Sequence, residues 1–390
     1  MSEVERIIKE GQEHFEQRRY DQALASVHAL QALGRNDAML KTIETECLVY
    51  LSRAPEAAAV MQALLQEEPD NTDHRIKLAY YLRHTGNFDE SERLISSVPA
   101  GTPGRAYLAG WHRMRHGDTA AGFAELEPEI GIYRAETLYH LPPEKRYVKG
   151  ADVRNKRILL ALEGGFGDEL AYARFAPWLE RRGAHIIVGA TPRIAPLVGR
   201  IAGVRDARPI KEILPDEYDY HISAMSTLPL FGIADPAAEC VFPMLQPLAQ
   251  ETAKWQPILE AEAAGRLKIG VHWQGNWEFD YLERKSPPAE MMLKFAELGR
   301  VFSLQRDAGS NTLPPGAPVY DTETGQASWE STVAVMSGMD YVVTNDTSTG
   351  HLAGVLGKKT LVLLPHAPHH YWLPFSPEVE PRGIPEVRPR

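Results

Sequence analysis

Positions with small side chains and positions with large apolar side chains recur at a fixed step of 34 residues along the first third of the chain. The step superimposes four sets of positions: Gly11, Thr45 and Ala79; Tyr20, Ala54 and Phe88; Ala23, Ala57 and Ser91; and Leu30, Leu64 and Val98. Such positions are typical of two helices that pack as a hairpin and then stack on the next hairpin. The pattern predicts three hairpins, followed by a looser fourth unit over residues 105–131.

The remaining two thirds of the chain alternate short apolar runs with stretches of helical periodicity. The runs predict strands at 157–163, 185–189, 204–207 and 218–223, and then at 268–273, 301–305, 319–321, 341–344 and 360–364. Helices are predicted at 168–182, 192–202, 288–298 and 329–338, and from about residue 348. Because strands that alternate with helices form parallel sheets, the pattern predicts two doubly wound α/β halves.

These patterns divide the chain into six parts. The parts are helical repeats over 1–134, a linker over 135–155, a first α/β half over 156–248, a proline-rich hinge over 249–266, a second α/β half over 267–375 and a tail over 376–390. The step of 34 residues is the period of tetratricopeptide repeats. The expected fold class is therefore a helical solenoid followed by a pair of Rossmann-like α/β domains with a cleft between them.

The composition excludes several classes of protein. Of the 390 residues, 44% are hydrophobic and 24% are charged, which is typical of globular domains and not of disordered chains. The longest apolar runs fall far short of the roughly 20 residues of a membrane span, and the first ten residues lack the apolar core of a signal peptide. Cys47 and Cys240 stand alone, which argues against a disulfide framework or a cysteine-ligated zinc site. A reducing, cytoplasmic location is expected.

The net charge of −10 is spread evenly along the chain. Residues 1–150 carry 18 basic and 23 acidic side chains, and residues 151–390 carry 24 and 29, so each part has a net charge of −5. A protein that binds nucleic acid through its phosphates shows a basic stripe, and none is visible here. The charge pattern argues against a nucleic-acid partner.

Two glycine-rich turns follow predicted strands, at the edge where parallel sheets bind ligands. The first turn, 164–167, precedes Asp168 at a predicted helix start, and the second, 345–350, leads into a helix that ends at Gly357. Because the first N–H groups of a helix attract anions, the second turn is suited to a diphosphate. The structural alternative is that Asp168 is an N-cap and that the second turn opens an ordinary capped helix.

Four segments together resemble bacterial glycosyltransferases with fused tetratricopeptide repeats, which are relatives of the ADP-heptose:lipopolysaccharide heptosyltransferases. Residues 163–175 resemble the GxGDxxxxAR segment of that group, and residues 270–276 resemble its GxxWxGN turn. Residues 345–358 resemble its DTxxxHLAGALGK segment, and residues 363–372 resemble its LLPxAPxxxW segment. The resemblance spans most of the chain. It implies a GT-B fold and metal-independent transfer of a sugar, with inversion, from a nucleotide-linked donor.

The resemblance also implies a set of site residues. Asp168 would be the general base that takes the proton of the acceptor hydroxyl. The helix start would bind the diphosphate, Asp346 would bind a hydroxyl or act only as a cap, and Arg284 or Lys285 would add positive charge or form a solvated pair. The full set of expected donor contacts is Gly165, Gly167, Gln274, Asn276, Arg284, Lys285, Gln305, Asp346, Thr347, Ser348, Thr349, Gly350 and His351.

Four histidines, His351, His366, His369 and His370, raise the question of a metal site. No carboxylate stands at ligand spacing from them, and the resembled family needs no metal, so polar contacts in the cleft are expected instead. Tyr371 and Trp372 are expected to pack and not to stack on a sugar. No metal or other cofactor is predicted.

The predicted partners are a nucleotide sugar (ADP-, UDP- or GDP-linked) and a protein or glycan acceptor bound through the helical repeats. The repeats could equally serve only to cap the α/β part. Two other functions stay open: a non-catalytic repeat protein with a degenerate GT-B domain, and a GT-B-fold epimerase or hydrolase of nucleotide sugars, which needs no acceptor.

Overall fold

The computed structural model describes residues 2–133, 138, 140–233, 240–275, 285–306, 313, 316–322 and 328–373. These residues form two compact units. The first unit contains residues 2–115 together with Pro365–Leu373, and the second contains the described residues between 116 and 364.

Helical hairpins fill the start of the chain, as the repeat pattern predicts. The helices are α1 (Glu3–Glu16), α2 (Tyr20–Ala32), α3 (Ala38–Tyr50), α4 (Ala54–Glu67), α5 (Thr72–His84), α6 (Phe88–Ser96), α7 (Arg105–Arg115) and α8 (Thr119–Tyr133). Ser2, Asp37 and Asn71 cap the first helix of three successive hairpins, since each side chain accepts a backbone N–H three residues on. Helix α8 belongs to the second unit.

The small positions of the repeat are buried where helices touch. Thr45, Ala57 and Ala79 are fully buried, and a Cβ on Gly11 would lie only 3.0 Å from the Cβ of Ser26. Large apolar side chains fill the space around the small positions, among them Met61, Leu64, Leu78, Ile95 and Leu108. The predicted array of helical hairpins is confirmed.

Residues Pro365–Leu373 pack against the helical unit. The ring of His366 stacks on Phe88 with 5.1 Å between centroids, and Trp111 Nε1 donates a hydrogen bond to the carbonyl oxygen of Pro368 at 2.8 Å. Gly86 has a φ of +83°, and a Cβ at this position would collide with the His366 ring. His366, expected as a polar contact in the cleft, is therefore a packing residue of the helical unit.

Two parallel sheets follow, as predicted. The first contains β1 (Arg157–Ala161), β2 (His185–Ala190), β3 (Val204–Pro209) and β4 (Tyr220–Ser223), in the order β3-β2-β1-β4. The second contains β5 (Lys268–His272), β6 (Arg300–Ser303), β7 (Val319–Asp321), β8 (Tyr341–Asn345) and β9 (Thr360–Leu363), in the order β7-β6-β5-β8-β9. All neighbouring strands pair in parallel. The predicted fold class is confirmed.

The helices of the α/β part differ in detail from the prediction. They are α9 (Phe166–Ala173), α10 (Phe175–Glu180), α11 (Ala195–Val198), α12 (Thr227–Phe231), α13 (Ala249–Ala263), α14 (Ala289–Leu293), α15 (Trp329–Ser337) and α16 (Ser348–Val355). The single helix predicted over 168–182 is divided at Arg174 between α9 and α10. The helix predicted over 192–202 is reduced to α11, because Pro196 stands in its first turn and Gly199 is its C-cap.

The segment predicted as a proline-rich hinge contains the long helix α13. Its buried residues, Trp255, Leu259 and Ala263, are spaced four apart and so form one apolar face. Pro257 lies on the exposed side, where the loss of one backbone hydrogen bond is tolerated. No helix in the described ranges is long and apolar enough to cross a bilayer.

Each sheet has a point at which the winding direction reverses. In the second sheet, β5 lies between β6 and β8, so that the chain moves to one side of β5 and then returns to the other. In open parallel sheets, ligands bind outside the carboxyl ends of the strands at such a point. The residues after β5 and β8 are therefore the first place to look for a site.

Candidate functional site

The neighbouring strands β5 and β8 end in two side chains that contact each other. His272 Nδ1 lies 2.9 Å from Asn345 Oδ1, and both residues are buried. Burial lowers the pKa of His272 to about 4, although the hydrogen bond with Asn345 opposes this shift. The imidazole is therefore neutral at neutral pH.

The side-chain nitrogen of Asn345 is a buried donor that lacks an acceptor. Asn345 is 0% exposed, and its Nδ2 has no hydrogen-bond partner within the part of the chain that the structure describes. The atom lies 3.7 Å from the position that a Cβ on Gly275 would take. Because an unsatisfied buried donor costs on the order of 1–3 kcal/mol, this side chain is suited to a ligand that brings an acceptor.

Helix α16 begins directly after this asparagine. Thr347 is its N-cap in extended conformation and makes no side-chain capping bond. The first N–H groups of any helix lack an acceptor within the helix, and they carry the positive end of its dipole. The expected donor contacts Thr347, Ser348, Thr349 and Gly350 form this helix start.

Two of the predicted site residues form an ion pair. Lys285 Nζ lies 3.3 Å from Asp346 Oδ2, with 20% of the lysine side chain and 1% of the aspartate side chain exposed. Asp346 directly precedes Thr347, so the pair stands beside the start of α16. Lys285 is thus a cation close to this helix, and its contact with a donor stays a prediction.

His351 lies one turn into α16, among charged groups. Burial lowers the pKa of His351 to about 4. The negative charge of Asp346 opposes this shift, and the positive charges of Arg174 and Lys285 add to it. The structure thus brings together the predicted residues His351, Asp346 and Lys285. Arg174, which was not among the expected site residues, lies with them.

Gly167 brings the first turn into contact with this helix start. A Cβ on Gly167 would lie 2.9 Å from Cδ2 of His351 and 3.4 Å from the Cα of Ser348. The close approach of α9 to α16 therefore requires a residue without a side chain at position 167. The two glycine-rich turns, which are far apart in sequence, therefore lie against each other.

Gly167→Ala should lower the free energy of unfolding by about 1–3 kcal/mol, because the new methyl group overpacks a buried contact. Gly354→Ala is the matched control, since Gly354 is in α16 and has no atom within 4 Å of its ideal Cβ. Alanine is the better helix former, so the control should gain up to about 1 kcal/mol. Chemical denaturation of both variants measures the difference, and equal gains in stability would contradict the predicted contact.

Asp168 is the third residue of α9 and contributes to the cap of that helix. Its Oδ2 accepts a hydrogen bond from the backbone N–H of Gly165 at 2.9 Å, and Gly165 is the N-cap residue. The structural alternative in the sequence analysis had Asp168 itself as the N-cap. In the structure the N-cap is Gly165, three residues earlier, and the Asp168 carboxylate accepts its backbone N–H. The role of Asp168 as a base stays a prediction.

Glu169 fixes the same helix to the first sheet. Its two carboxylate oxygens accept from the backbone N–H and the hydroxyl of Thr191, each at 2.8 Å. Burial raises the pKa of Glu169, and the hydrogen bonds from Thr191 oppose that shift. The sequence does not show whether an acidic residue in the first turn of a helix is buried, as Glu169 is, or exposed.

Gln305 is engaged by the main chain of the turn after β5. Its Oε1 accepts from the N–H of Gln274 at 3.0 Å, and its Nε2 donates to the carbonyl oxygen of Gln274 at 2.9 Å. The side chain thus shapes the turn that leads to Gly275. Direct contact of Gln305 or Gln274 with a donor stays a prediction, and the predicted contacts Asn276 and Arg284, like the tail over 376–390, lie outside the described residues.

A cavity of about 290 Å³ lies in the second unit. Arg193, Arg306, Ser328 and Trp329 contribute to its walls. The guanidinium carbons of Arg193 and Arg306 lie 5.8 Å and 5.7 Å from the centroid of the Trp329 ring. Phe166 of the first turn meets the same indole edge to face at 5.9 Å. The cavity is not evident from the sequence, because its residues come from three separate segments, 193–197, 306 and 328–330.

The four histidines considered as metal ligands are distributed between the two units. His351 is in the second unit, and His366, His369 and His370 are in the first. The rings of His369 and Tyr371 lie 4.0 Å apart. Within the residues described here, no three His, Cys, Asp or Glu side chains are placed so that they could hold a metal ion.

Comparisons with known proteins agree with this architecture. The sequence model of the tetratricopeptide repeat family matches residues 48–110. No curated protein matches the sequence.

Three solved structures that are similar to this chain are glycosyltransferases. ADP-heptose lps heptosyltransferase II of E. coli shares 16% identity over 53% of this chain and 84% of its own, with a TM-score of 0.39. A glycosyl transferase family 9 protein of Veillonella parvula shares 9% identity over 56% and 85%, with a TM-score of 0.44. A mutant of the O-GlcNAc transferase of Thermobaculum terrenum shares 10% over 94% and 84%, with a TM-score of 0.32. At these values the likeness adds no functional residue to those that the contacts identify.

Proposed function

We propose that the protein is an inverting, metal-independent glycosyltransferase. It would move a sugar from a nucleotide-linked donor to a hydroxyl group of a protein or glycan acceptor. The observation that carries this proposal is the start of α16, where Asn345 Nδ2 is a buried donor that has no acceptor in the described part of the chain. Lys285, which pairs with Asp346, places an ammonium group beside the helix start. These are the features that a diphosphate requires.

The departing diphosphate requires groups at this site that stabilise negative charge. When the bond between the anomeric carbon and the diphosphate breaks, negative charge develops on the phosphate oxygens. In this proposal the helix N–H groups and Lys285 stabilise that charge, so the chemistry needs no metal ion. The neutral His272 holds Asn345 in place beneath the helix start.

The cavity beside Trp329 would take the planar part of the donor nucleotide. An indole wall offers stacking to a base, and the two nearby guanidinium groups favour an electron-rich ligand. The cavity volume of about 290 Å³ suits one such group.

Asp168 would act as the general base. Its carboxylate takes the proton of the acceptor hydroxyl, while the hydroxyl oxygen attacks the anomeric carbon on the side opposite the diphosphate. Attack from that side inverts the configuration. The bond from Gly165 N–H fixes the orientation of the carboxylate, and the contact of Gly167 with α16 supports its placement near the donor.

The same bond to Gly165 favours a second candidate, a non-catalytic repeat protein. In that case the carboxylate of Asp168 would only cap α9, and the donor site would be a remnant. The variants of Asp168 described in the Discussion separate the two candidates.

The helical unit would bind the acceptor or another partner. A cavity of about 320 Å³ between its first three helices is lined by apolar side chains, including Ile7, Phe15, Leu30 and Leu40. Such a cavity can receive an apolar side chain of a peptide. The proposed platform rests on this feature together with the tetratricopeptide match.

Thr347→Glu tests the donor site. A negative charge at the start of α16 should oppose a bound diphosphate and weaken the affinity for a nucleoside diphosphate by about 1 kcal/mol or more, which is roughly fivefold. Thr347→Val is the control, since it removes the hydroxyl but adds no charge, and its affinity should stay near that of the wild type. Calorimetry with ADP, UDP and GDP measures the effect. Unchanged affinity in the glutamate variant would exclude the helix start as the diphosphate site.

A further inference from the structure

Arg174 occupies the junction of α9 and α10, on the side that faces α16. Its backbone is helical, with φ −56° and ψ −21°, and it follows Gly167 by seven residues. Seven residues correspond to two helical turns, so the two side chains leave the same face of the helix. Because Gly167 touches Ser348 and His351, that face packs on the start of α16.

The guanidinium of Arg174 has no acceptor among the residues that the structure describes. The group makes no hydrogen bond or ion pair with any residue that the structure describes, and its Nε is shielded from solvent. The contact it makes is with the Phe175 ring, whose centroid lies 5.5 Å from Cζ. A guanidinium carries five N–H donors, and a donor that leaves water without an acceptor, as Nε does here, is costly.

Neither carboxylate of this site forms an ion pair with Arg174 among the described residues. Asp346 pairs with Lys285 at 3.3 Å, and Asp168 accepts the backbone N–H of Gly165. Arg174 thus adds a positive charge to a site that also contains the unpaired amide of Asn345 and the start of α16. Spare donors and a guanidinium without a paired carboxylate suit a dianion, and a guanidinium fork binds phosphate through two parallel hydrogen bonds.

We propose that Arg174 is a second phosphate-binding cation, which contacts the diphosphate of the donor from the first α/β half while Lys285 and α16 contact it from the second. The proposal rests on the proposed function and deepens it. Both halves would then hold the leaving group. The contact would also make the affinity for the diphosphate depend on a residue outside the sheet that carries the helix start.

The test compares Arg174→Met and Arg174→Lys with Arg181→Met in the full chain. Arg181 is an exposed arginine at the end of α10, so its loss controls for a change in net charge. Calorimetry gives the Kd for ADP, UDP and GDP, for the corresponding nucleosides and for inorganic pyrophosphate. Arg174→Met should weaken diphosphate and pyrophosphate binding about 10- to 100-fold, the scale of a charged hydrogen bond. Arg174→Lys should weaken it less, and nucleoside binding should not change.

The measured affinities separate the role of Arg174 from the proposed function. Equal affinities of Arg174→Met and Arg181→Met for a diphosphate would overturn the inference and leave the proposed function standing. If the wild type binds pyrophosphate through Arg174 but binds no nucleotide, the anion site stands and the proposed function falls. If it binds neither, both fall. A melting temperature that drops in both Arg174 variants but not in Arg181→Met would assign Arg174 a structural role and overturn the inference.

Discussion

Asp168→Asn should lower the turnover of sugar transfer by about 100- to 10,000-fold, the usual contribution of a general base. Asparagine keeps the size of the side chain and an oxygen that can accept the N–H of Gly165, but it cannot take up a proton. Nucleotide affinity and melting temperature should therefore change little. Steady-state rates with an active pair of donor and acceptor, together with thermal denaturation, measure the two effects.

Two further variants show whether the carboxylate is only a cap. Asp168→Ala removes the bond to Gly165 and should cost up to about 1–2 kcal/mol of stability. Asp37→Asn is the matched control, because the Asp37 carboxylate also accepts a backbone N–H at a helix start, that of Leu40 in α3. Its turnover should stay at the wild-type value. An Asp168→Asn variant that transfers sugar at nearly the full rate would exclude the proposed mechanism and favour the non-catalytic candidate.

Acidification from pH 6.5 to 4 should remove about 3 kcal/mol of stability through His272 alone. Burial lowers the pKa of this histidine to about 4 in the folded protein, whereas the unfolded chain has a histidine pKa near 6.5. Between these two values the unfolded chain binds a proton that the folded protein does not. Stability is therefore fully present above the unfolded pKa and falls as the pH decreases.

His272→Gln isolates this effect from other acid-sensitive groups. Glutamine can still bond to Asn345 but does not titrate, and His351 and the carboxylates are the same in both proteins. Chemical denaturation at several pH values should give curves whose slopes differ by up to one proton between pH 4 and 6.5. Parallel curves for the wild type and the variant would contradict a neutral, buried His272.

The sequence predicted those parts of the fold that depend on local spacing. The hairpins follow from the repeat, and the strands follow from short apolar runs that become buried on both faces of parallel sheets. The sequence did not predict the helix in the proline-rich segment between the two halves. Pro257 suggested a break, but it lies on the exposed side of α13, and the spacing of Trp255, Leu259 and Ala263 is what determines the helix.

The candidate site was predictable only as two separate turns. Gly167 and His351 were both expected as donor contacts, but their direct contact depends on how α9 packs on α16. The pairing of His272 with Asn345 requires β5 and β8 to be neighbours, which is a property of strand order and not of local sequence. In the same way, the sequence does not show that Arg174 makes no hydrogen bond or ion pair with the described residues, so it was not among the expected site residues.

The packing of Pro365–Leu373 on the helical repeats affects any experiment that removes the repeats. Deletion of the hairpins is the usual way to ask whether repeats recruit a substrate. In this protein it would also remove Phe88 and Trp111, which hold His366 and Pro368. The truncated chain would expose the segment Pro365–Leu373, which these side chains cover in the full chain. A loss of transfer activity would then not show that the repeats recruit the substrate. Exchange of the repeats between relatives must transfer this segment together with them.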